Sequence, residues 1–202
     1  MGSSDTAEAL EEVHSEIRRC RRCPLSRTRT KAVPGEGAPD ASIMFVGEAP
    51  GGDEDQQGRP FVGAAGRLLT HLLKTIDLDR PAVFITNVVK CRPPGNRDPS
   101  PEEIDACNDH LLAQIALITP KVICTLGRFA AQTLIDKSLS ISRQHGKPRR
   151  LSGILYVPLY HPAAALHQAR LTDSLEADMR RLRDILAQEL GTPQAEEKGD
   201  HA

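Results

Sequence analysis

The sequence predicts an α/β protein of three layers, α/β/α, with a central four-stranded parallel sheet between helices. Three observations predict it. Short apolar runs of strand length alternate with segments whose apolar residues recur at helical spacing. Strands separated by helices imply parallel pairing, and a parallel sheet needs cover on both faces. The 202 residues suffice for one such core, in which aliphatics must dominate because there are 4 Phe, 2 Tyr and no Trp.

The elements follow in order. Residues 8–20 read as a helix, and a loop containing Pro and Gly runs on to Asp40. Residues 42–47 (SIMFVG) form a short buried strand, followed by a long loop through Phe61. Leu68, Leu69, Leu72, Leu73 and Ile76 then repeat with helical spacing. Residues 83–89 make the second strand. Ser100-Pro101-Glu102-Glu103 offers an N-cap, a proline at the first helical position and a capping-box glutamate. The helix so started places Ile104, Cys107, Leu111 and Ile115 on one face. Residues 121–126 are a third strand, 128–135 a helix and 154–159 a fourth strand. Asp173 and Glu176 can cap a final helix carrying Leu175, Met179, Leu182 and Leu186. Residues 1–190 are expected to form one domain, and 191–202 a disordered tail.

The formal net charge of −1 hides a segregated distribution. Between Arg18 and Lys31 stand seven basic residues and no acid. Between Lys137 and Thr172 stand six basic residues and three histidines, again with no acid. Such stretches suit phosphate contacts, which add affinity without sequence choice. Two solvated basic loops would leave the same charge pattern. No stretch approaches the roughly 20 apolar residues of a membrane span, so no membrane partner is expected. The acidic N-terminus lacks the apolar core of a secretory signal. A cytoplasmic monomer is the expectation.

Five cysteines in that compartment read as metal ligands or core thiols rather than disulfides. Cys20-x2-Cys23 has the spacing of a ligand pair, and Cys91 and Cys107 could supply two more thiolates. Cys107 lies on the apolar face of its helix and also reads as core. Cys91 precedes Arg92-Pro93-Pro94-Gly95, where the chain leaves its strand. Cys124, in VICTLG, reads as an inert core thiol. Four thiolates suit either Zn²⁺ or a [4Fe–4S] cluster.

Ligands of parallel sheets bind outside the carboxyl ends of the strands. Three segments belong there: 48–61, 87–99 and the loop at His161. The first turns sharply through Gly47-Glu48-Ala49-Pro50-Gly51 and continues past Glu54-Asp55, Gly58 and Pro60-Phe61-Val62-Gly63 to Ala65-Gly66. The second opens on Asn87 in TNVVKCRPP, and the third reads His161-Pro162-Ala163-Ala164-Ala165-Leu166. In this order, on these strand ends and with the four cysteines, the chain resembles family 4 of the uracil-DNA glycosylase superfamily, the iron–sulfur or thermophile-type enzymes. The resemblance runs from Cys20 to the region of Ile185.

That resemblance implies a [4Fe–4S] cluster on Cys20, Cys23, Cys91 and Cys107. It implies hydrolysis of the glycosidic bond of uracil flipped out of single- or double-stranded DNA. Phe61 matches the plate that stacks on the base. Asn87 matches the reader of the pyrimidine edge, since a side-chain amide can donate and accept at once. Glu48 is the candidate carboxylate for the attacking water and His161 the candidate donor to the uracil anion. Ala49 stands where the related family 1 has an Asp. Gly51 stands where family 1 has a bulky tyrosine, and Glu54 is expected to help fill that gap, with Glu54 or Asp55 shaping the pocket wall. Arg143, His145 and Lys147 are expected along the phosphate backbone. Leu166 or a neighbour is expected as a wedge in the DNA, in a loop with His167 and Arg170.

Without the resemblance, Phe61 reads as core, Asn87 as a strand-end cap and His161 as a turn residue ahead of Pro162. Three rival functions follow from that plainer reading. A superfamily branch that bonds covalently to the abasic sugar carries a histidine after the second strand, and CRPPGNRDPSP has none. A non-catalytic nucleic-acid-binding module would not need the combined Glu48, Phe61, Asn87 and His161. An unrelated α/β hydrolase would need a Gly-x-Ser-x-Gly motif, which is absent.

Overall fold

The computed structural model describes residues 3–166 and 168–191. His167 and residues 192–202 of the expected tail lie outside the described residues. In chain order the elements are α1 (Ser3–Arg19), β1 (Glu36–Gly37), β2 (Ile43–Gly47), α2 (Gly52–Gln57), α3 (Ala64–Lys74), β3 (Phe84–Asn87) and α4 (Pro101–Ile118). Then follow β4 (Val122–Leu126), α5 (Arg128–Leu134), α6 (Ile141–Gln144), β5 (Arg149–Leu151), β6 (Ile154–Leu159), α7 (Pro162–Ala165) and α8 (Ala169–Leu190).

The strands pair in the order β1-β3-β2-β4-β6-β5. The four inner strands are the parallel sheet expected from the sequence, with Phe45 opposite both Ile85 and Cys124, and Cys124 opposite Val157. Each edge carries an addition to that expectation. β1 pairs antiparallel with β3, and β5 antiparallel with β6, so the sheet is mixed and six-stranded. Both edge strands are short and solvent-facing, and neither has an apolar run to announce it.

Side chains alternate between the two faces of each strand. Ile43, Phe45, Ile85, Cys124 and Val157 meet α3 and α8 through Leu69, Leu72, Leu73, Leu175, Met179 and Leu182. Met44, Val46, Phe84, Ile123 and Tyr156 meet α1 and α4 through Leu10, Leu111 and Ile115. Both faces are covered, which is why the strands read as continuous apolar runs. Cys124 is fully buried in the first of these layers, as expected of a core thiol.

The capping box of α4 forms as the sequence predicts. The Glu103 N–H donates to Ser100 Oγ (3.3 Å), and the Ser100 N–H donates to Glu103 Oε2 (2.8 Å). Helix α8 departs from expectation. It begins at Ala169, so Asp173 and Glu176 lie inside it rather than at its cap, and Gln168 ahead of it makes no side-chain cap bond. Two loops also hold short helices. In α2 the Gly51 N–H donates to Glu54 Oε2 (3.1 Å), a cap hidden in a glycine-rich run. In α7 the cap is His161 itself.

Leu182 is fully buried under the sheet, whereas Leu112 on α4 is 49% exposed. Leu182→Ala should therefore lower unfolding stability by about 2–5 kcal/mol, and Leu112→Ala by less than about 0.5 kcal/mol, in denaturant titrations.

Candidate active site

The carboxyl ends of β2, β3 and β6 open onto a cavity of about 390 Å³. Glu48, Ala49, Glu54, Phe61, Asn87 and His161, all expected from the sequence, line it together. Asn87 ends β3 opposite Gly47 and is 1% exposed. Its Oδ1 has no hydrogen-bond partner. A buried amide oxygen without a protein partner is costly, and this residue lines the cavity, where a hydrogen-bond donor can reach it. Gly47 makes the arrangement possible. A Cβ there would lie 2.4 Å from Asn87 Oδ1 and 2.6 Å from Phe61 Cζ.

Phe61 adopts a left-handed backbone (φ 50°), which costs a non-glycine residue about 1 kcal/mol or more. Arg80 holds it there. Arg80 Nη1–H donates to the Phe61 carbonyl (3.0 Å) and Nη2–H to the Pro60 carbonyl (2.8 Å). The Phe61 ring stacks beside that of His161, with centroids 5.7 Å apart and planes at 28°.

The electrostatics follow from loss of water. Burial lowers the His161 pKa to about 4, so the ring is neutral near pH 7. The Ala163 N–H donates to His161 Nδ1 (3.1 Å), which leaves the ring proton on Nε2. Burial, with the Asp98 charge adding to it, raises Glu48 to about 7, while Arg128 opposes the shift. Asp98 and Arg128 pair with each other at 3.1 Å. Glu54 is engaged differently. Its Oε1 accepts from the Val62 and Gly63 N–H groups (both 2.9 Å) and its Oε2 from Gly51. A Cβ on Gly51 would meet Glu54 Oε2 at 2.8 Å, so this carboxylate occupies the space beside Gly51.

A family profile described as the Uracil DNA glycosylase superfamily matches residues 34–185. The chain belongs to that superfamily. A type-4 uracil-DNA glycosylase of Sulfurisphaera tokodaii is 50% identical over 187 residues, 88% of this chain and 85% of the relative. One of Thermotoga maritima is 50% identical over 164 residues, 80% of this chain and 85% of the relative. A type-5 uracil-DNA glycosylase of Thermus thermophilus is 36% identical over 120 residues, 52% of this chain and 54% of the relative. Identity and coverage thus place this superfamily member with the type-4 group.

None of the five cysteines of this type-4 chain lines the cavity. Cys91, Cys107 and Cys23 share the apolar layer under α4. Burial pushes the Cys91 thiol up to about 11, with smaller contributions from Cys107 and Cys23, while Arg29 Nη1–H donates to its Sγ (3.0 Å). The Cys107 thiol is also raised by burial, with Cys23 and Cys20 adding to it. Its Sγ accepts from the Lys90 N–H (3.3 Å). Among the described residues no three His, Cys, Asp or Glu side chains converge as they would on one metal ion. A polynuclear cluster spreads its thiolates wider than a single ion does, and an all-sulfur donor set with N–H groups on its sulfurs suits iron and sulfide.

The outer loops differ from expectation in detail. Arg143 and Lys147 are exposed, and Leu166 is 45% exposed beside α7. Arg170 lies in the first turn of α8 rather than in a loop. His145 is not free for solvent, because its Nδ1 pairs with the buried Asp178 at 2.6 Å and its ring lies 4.5 Å from Tyr160. Asp55 is not a wall of the cavity either. Its carboxylate accepts from the Thr30 N–H (2.9 and 3.0 Å) and fastens the basic N-terminal segment. Arg80 escaped sequence reasoning, since it acts on a segment remote in the chain. Glu54→Gln would turn an amide NH2 toward backbone N–H donors, and should cost about 1–3 kcal/mol in denaturant unfolding.

Proposed function

We propose that this chain is a monofunctional DNA glycosylase that hydrolyses the N-glycosidic bond of uracil in DNA, leaving free uracil and an abasic site. The observation that carries the reading is the buried Asn87 amide, its oxygen unpartnered, held against the Phe61 ring across Gly47. An amide there can accept from uracil N3–H and donate to O4, while the ring stacks on the base. Cytosine presents the opposite donor and acceptor pattern along that edge and is refused. Glu54, beside Gly51, narrows the cavity where a thymine methyl would need room.

Cleavage develops positive charge on the sugar and negative charge on the leaving base. His161, neutral with its proton on Nε2, donates to uracil O2 and stabilises the developing anion. Glu48 takes a proton from the attacking water as the water oxygen bonds to C1′. The C1′–N1 bond breaks and its electron pair leaves with the uracil, which is later protonated from solvent. Ala49 leaves room for that water instead of supplying a second carboxylate. Cys20, Cys23, Cys91 and Cys107 would hold a [4Fe–4S] cluster, which when bound supplies a cross-link between the basic N-terminal segment, the end of β3 and α4. Arg143, Lys147 and Arg170 would meet DNA phosphates, with Leu166 as the wedge. His145 would support that face through Asp178. The reading takes the protein to act as a cytoplasmic monomer on single- or double-stranded DNA.

Incubation with uracil-containing oligonucleotides followed by alkali should give breaks at uracil, and their absence would overturn the reading. Boiling in denaturant should release the protein, whereas a covalent relative would stay attached. His161→Ala should lower the single-turnover rate by about 10²- to 10³-fold.

Glu48 acts as the ionised base, and its pKa is raised to about 7. The excision rate should therefore rise with pH through about 7. Asp98→Asn removes a charge that raises this pKa, so the rising limb should move to lower pH. Glu48→Gln should abolish the limb. A pH–rate profile of the three proteins checks all of these expectations.

A further inference from the structure

Behind Asn87, away from the cavity, lies a buried amine that the chemistry above does not use. Lys90 is 1% exposed. Its Nζ donates to Thr86 Oγ1 (2.6 Å), the Asn87 carbonyl (2.8 Å) and Gln114 Oε1 (2.7 Å), which accounts for every proton of an ammonium. The acceptors are themselves fixed. Thr86 Oγ1–H and Gln114 Nε2–H both donate to the Pro34 carbonyl, at 2.7 and 2.9 Å. The same lysine reaches the cysteine site through its backbone, since its N–H donates to Cys107 Sγ (3.3 Å) and Cys91 follows it in the chain.

A buried cation without a carboxylate partner is expensive, and an apolar side chain would fill the volume at less cost. On the cysteine side the contacts are Cys107, whose Sγ accepts the Lys90 N–H, and Cys91, the next residue in the chain. One residue therefore touches the cysteine site through its backbone N–H and grips the Asn87 main chain through its side chain. Its hold is on the carbonyl of the residue whose side chain enters the cavity, so it sets where that amide points.

We propose that Lys90 is a positioning residue that couples the cysteine site to the base reader. With its backbone N–H on Cys107 Sγ, its ammonium holds the Asn87 carbonyl and aims the Asn87 amide at the pyrimidine edge. The inference rests on the uracil-reading role given to Asn87 and on the cysteines as cluster ligands. It implies that loosening the cysteine site weakens recognition of the base without touching the cavity.

The test uses the iron-loaded protein and its Lys90→Met variant. Two DNA probes are compared, one with a non-cleavable 2′-fluoro-deoxyuridine and one with a tetrahydrofuran abasic analogue. Lys90→Met should weaken binding to the fluorouridine probe by about tenfold or more and leave binding to the abasic probe within about twofold. Added to Asn87→Ala, it should weaken the fluorouridine probe no further, because both act through one group. Iron removal by chelation, followed by visible absorbance, should weaken the fluorouridine probe in the parent protein and add nothing in Lys90→Met. Equal losses on both probes, or additive losses with Asn87→Ala or with chelation, would overturn the proposal. If Lys90→Met does not fold, Thr86→Val, which deletes one acceptor while keeping shape, should show the same probe selectivity, and equal losses on the two probes would overturn the proposal. A parent protein that binds the fluorouridine probe no better than the matched thymidine DNA would instead sink the uracil reading itself.

Discussion

The site depends on one close approach, at the end of β2. Gly47 has no Cβ, and into that space come the Phe61 ring and the Asn87 amide oxygen. Parallel pairing brings Asn87 level with Gly47, because β2 and β3 run together to their last residues. The chain must then turn back through a strained Phe61, which Arg80 secures through two carbonyls. The Phe61 ring and the Asn87 amide are thus set side by side by backbone geometry. Preorganisation of this kind removes the cost of arranging the groups during reaction.

Dryness then tunes the chemistry. The same loss of water raises a carboxyl pKa and lowers that of an imidazole, since both lose their charged forms. Glu48 moves to about 7 and His161 to about 4. In the proposed function, a neutral His161 donates to the anionic leaving group, and a Glu48 that still ionises near neutrality serves the attacking water. The Asp98–Arg128 pair adds opposed charges, Asp98 raising the Glu48 pKa and Arg128 lowering it. Glu54 opposes the His161 shift with its charge, while three backbone N–H groups hold its carboxylate in the wall.

Much of this was legible in the sequence wherever the signal is local. The buried runs of β2, β3, β4 and β6 announced a parallel sheet, and Ser100 with Glu103 announced the start of α4. Strand ends pointed to Glu48, Asn87 and His161 because a parallel sheet presents its ligands there. What stayed hidden is pairing between distant segments. Arg80 acts on Pro60 and Phe61, Asp178 on His145, and Lys90 on Gln114, and no spacing rule links those positions. The edge strands β1 and β5 are defined by their partners rather than by their own residues. Helix α8 starts early because tertiary packing against α7 outweighs a missing cap.

The most direct measurement is the single-turnover excision rate of Gly47→Ala on uracil-containing DNA, taken beside its thermal midpoint. A methyl at that position must push the Phe61 ring from the Asn87 amide, and a misplacement on the order of 1 Å should lower the rate by about 100-fold or more in a protein that still unfolds cooperatively. A folded Gly47→Ala protein that excises uracil at the parent rate would contradict the account.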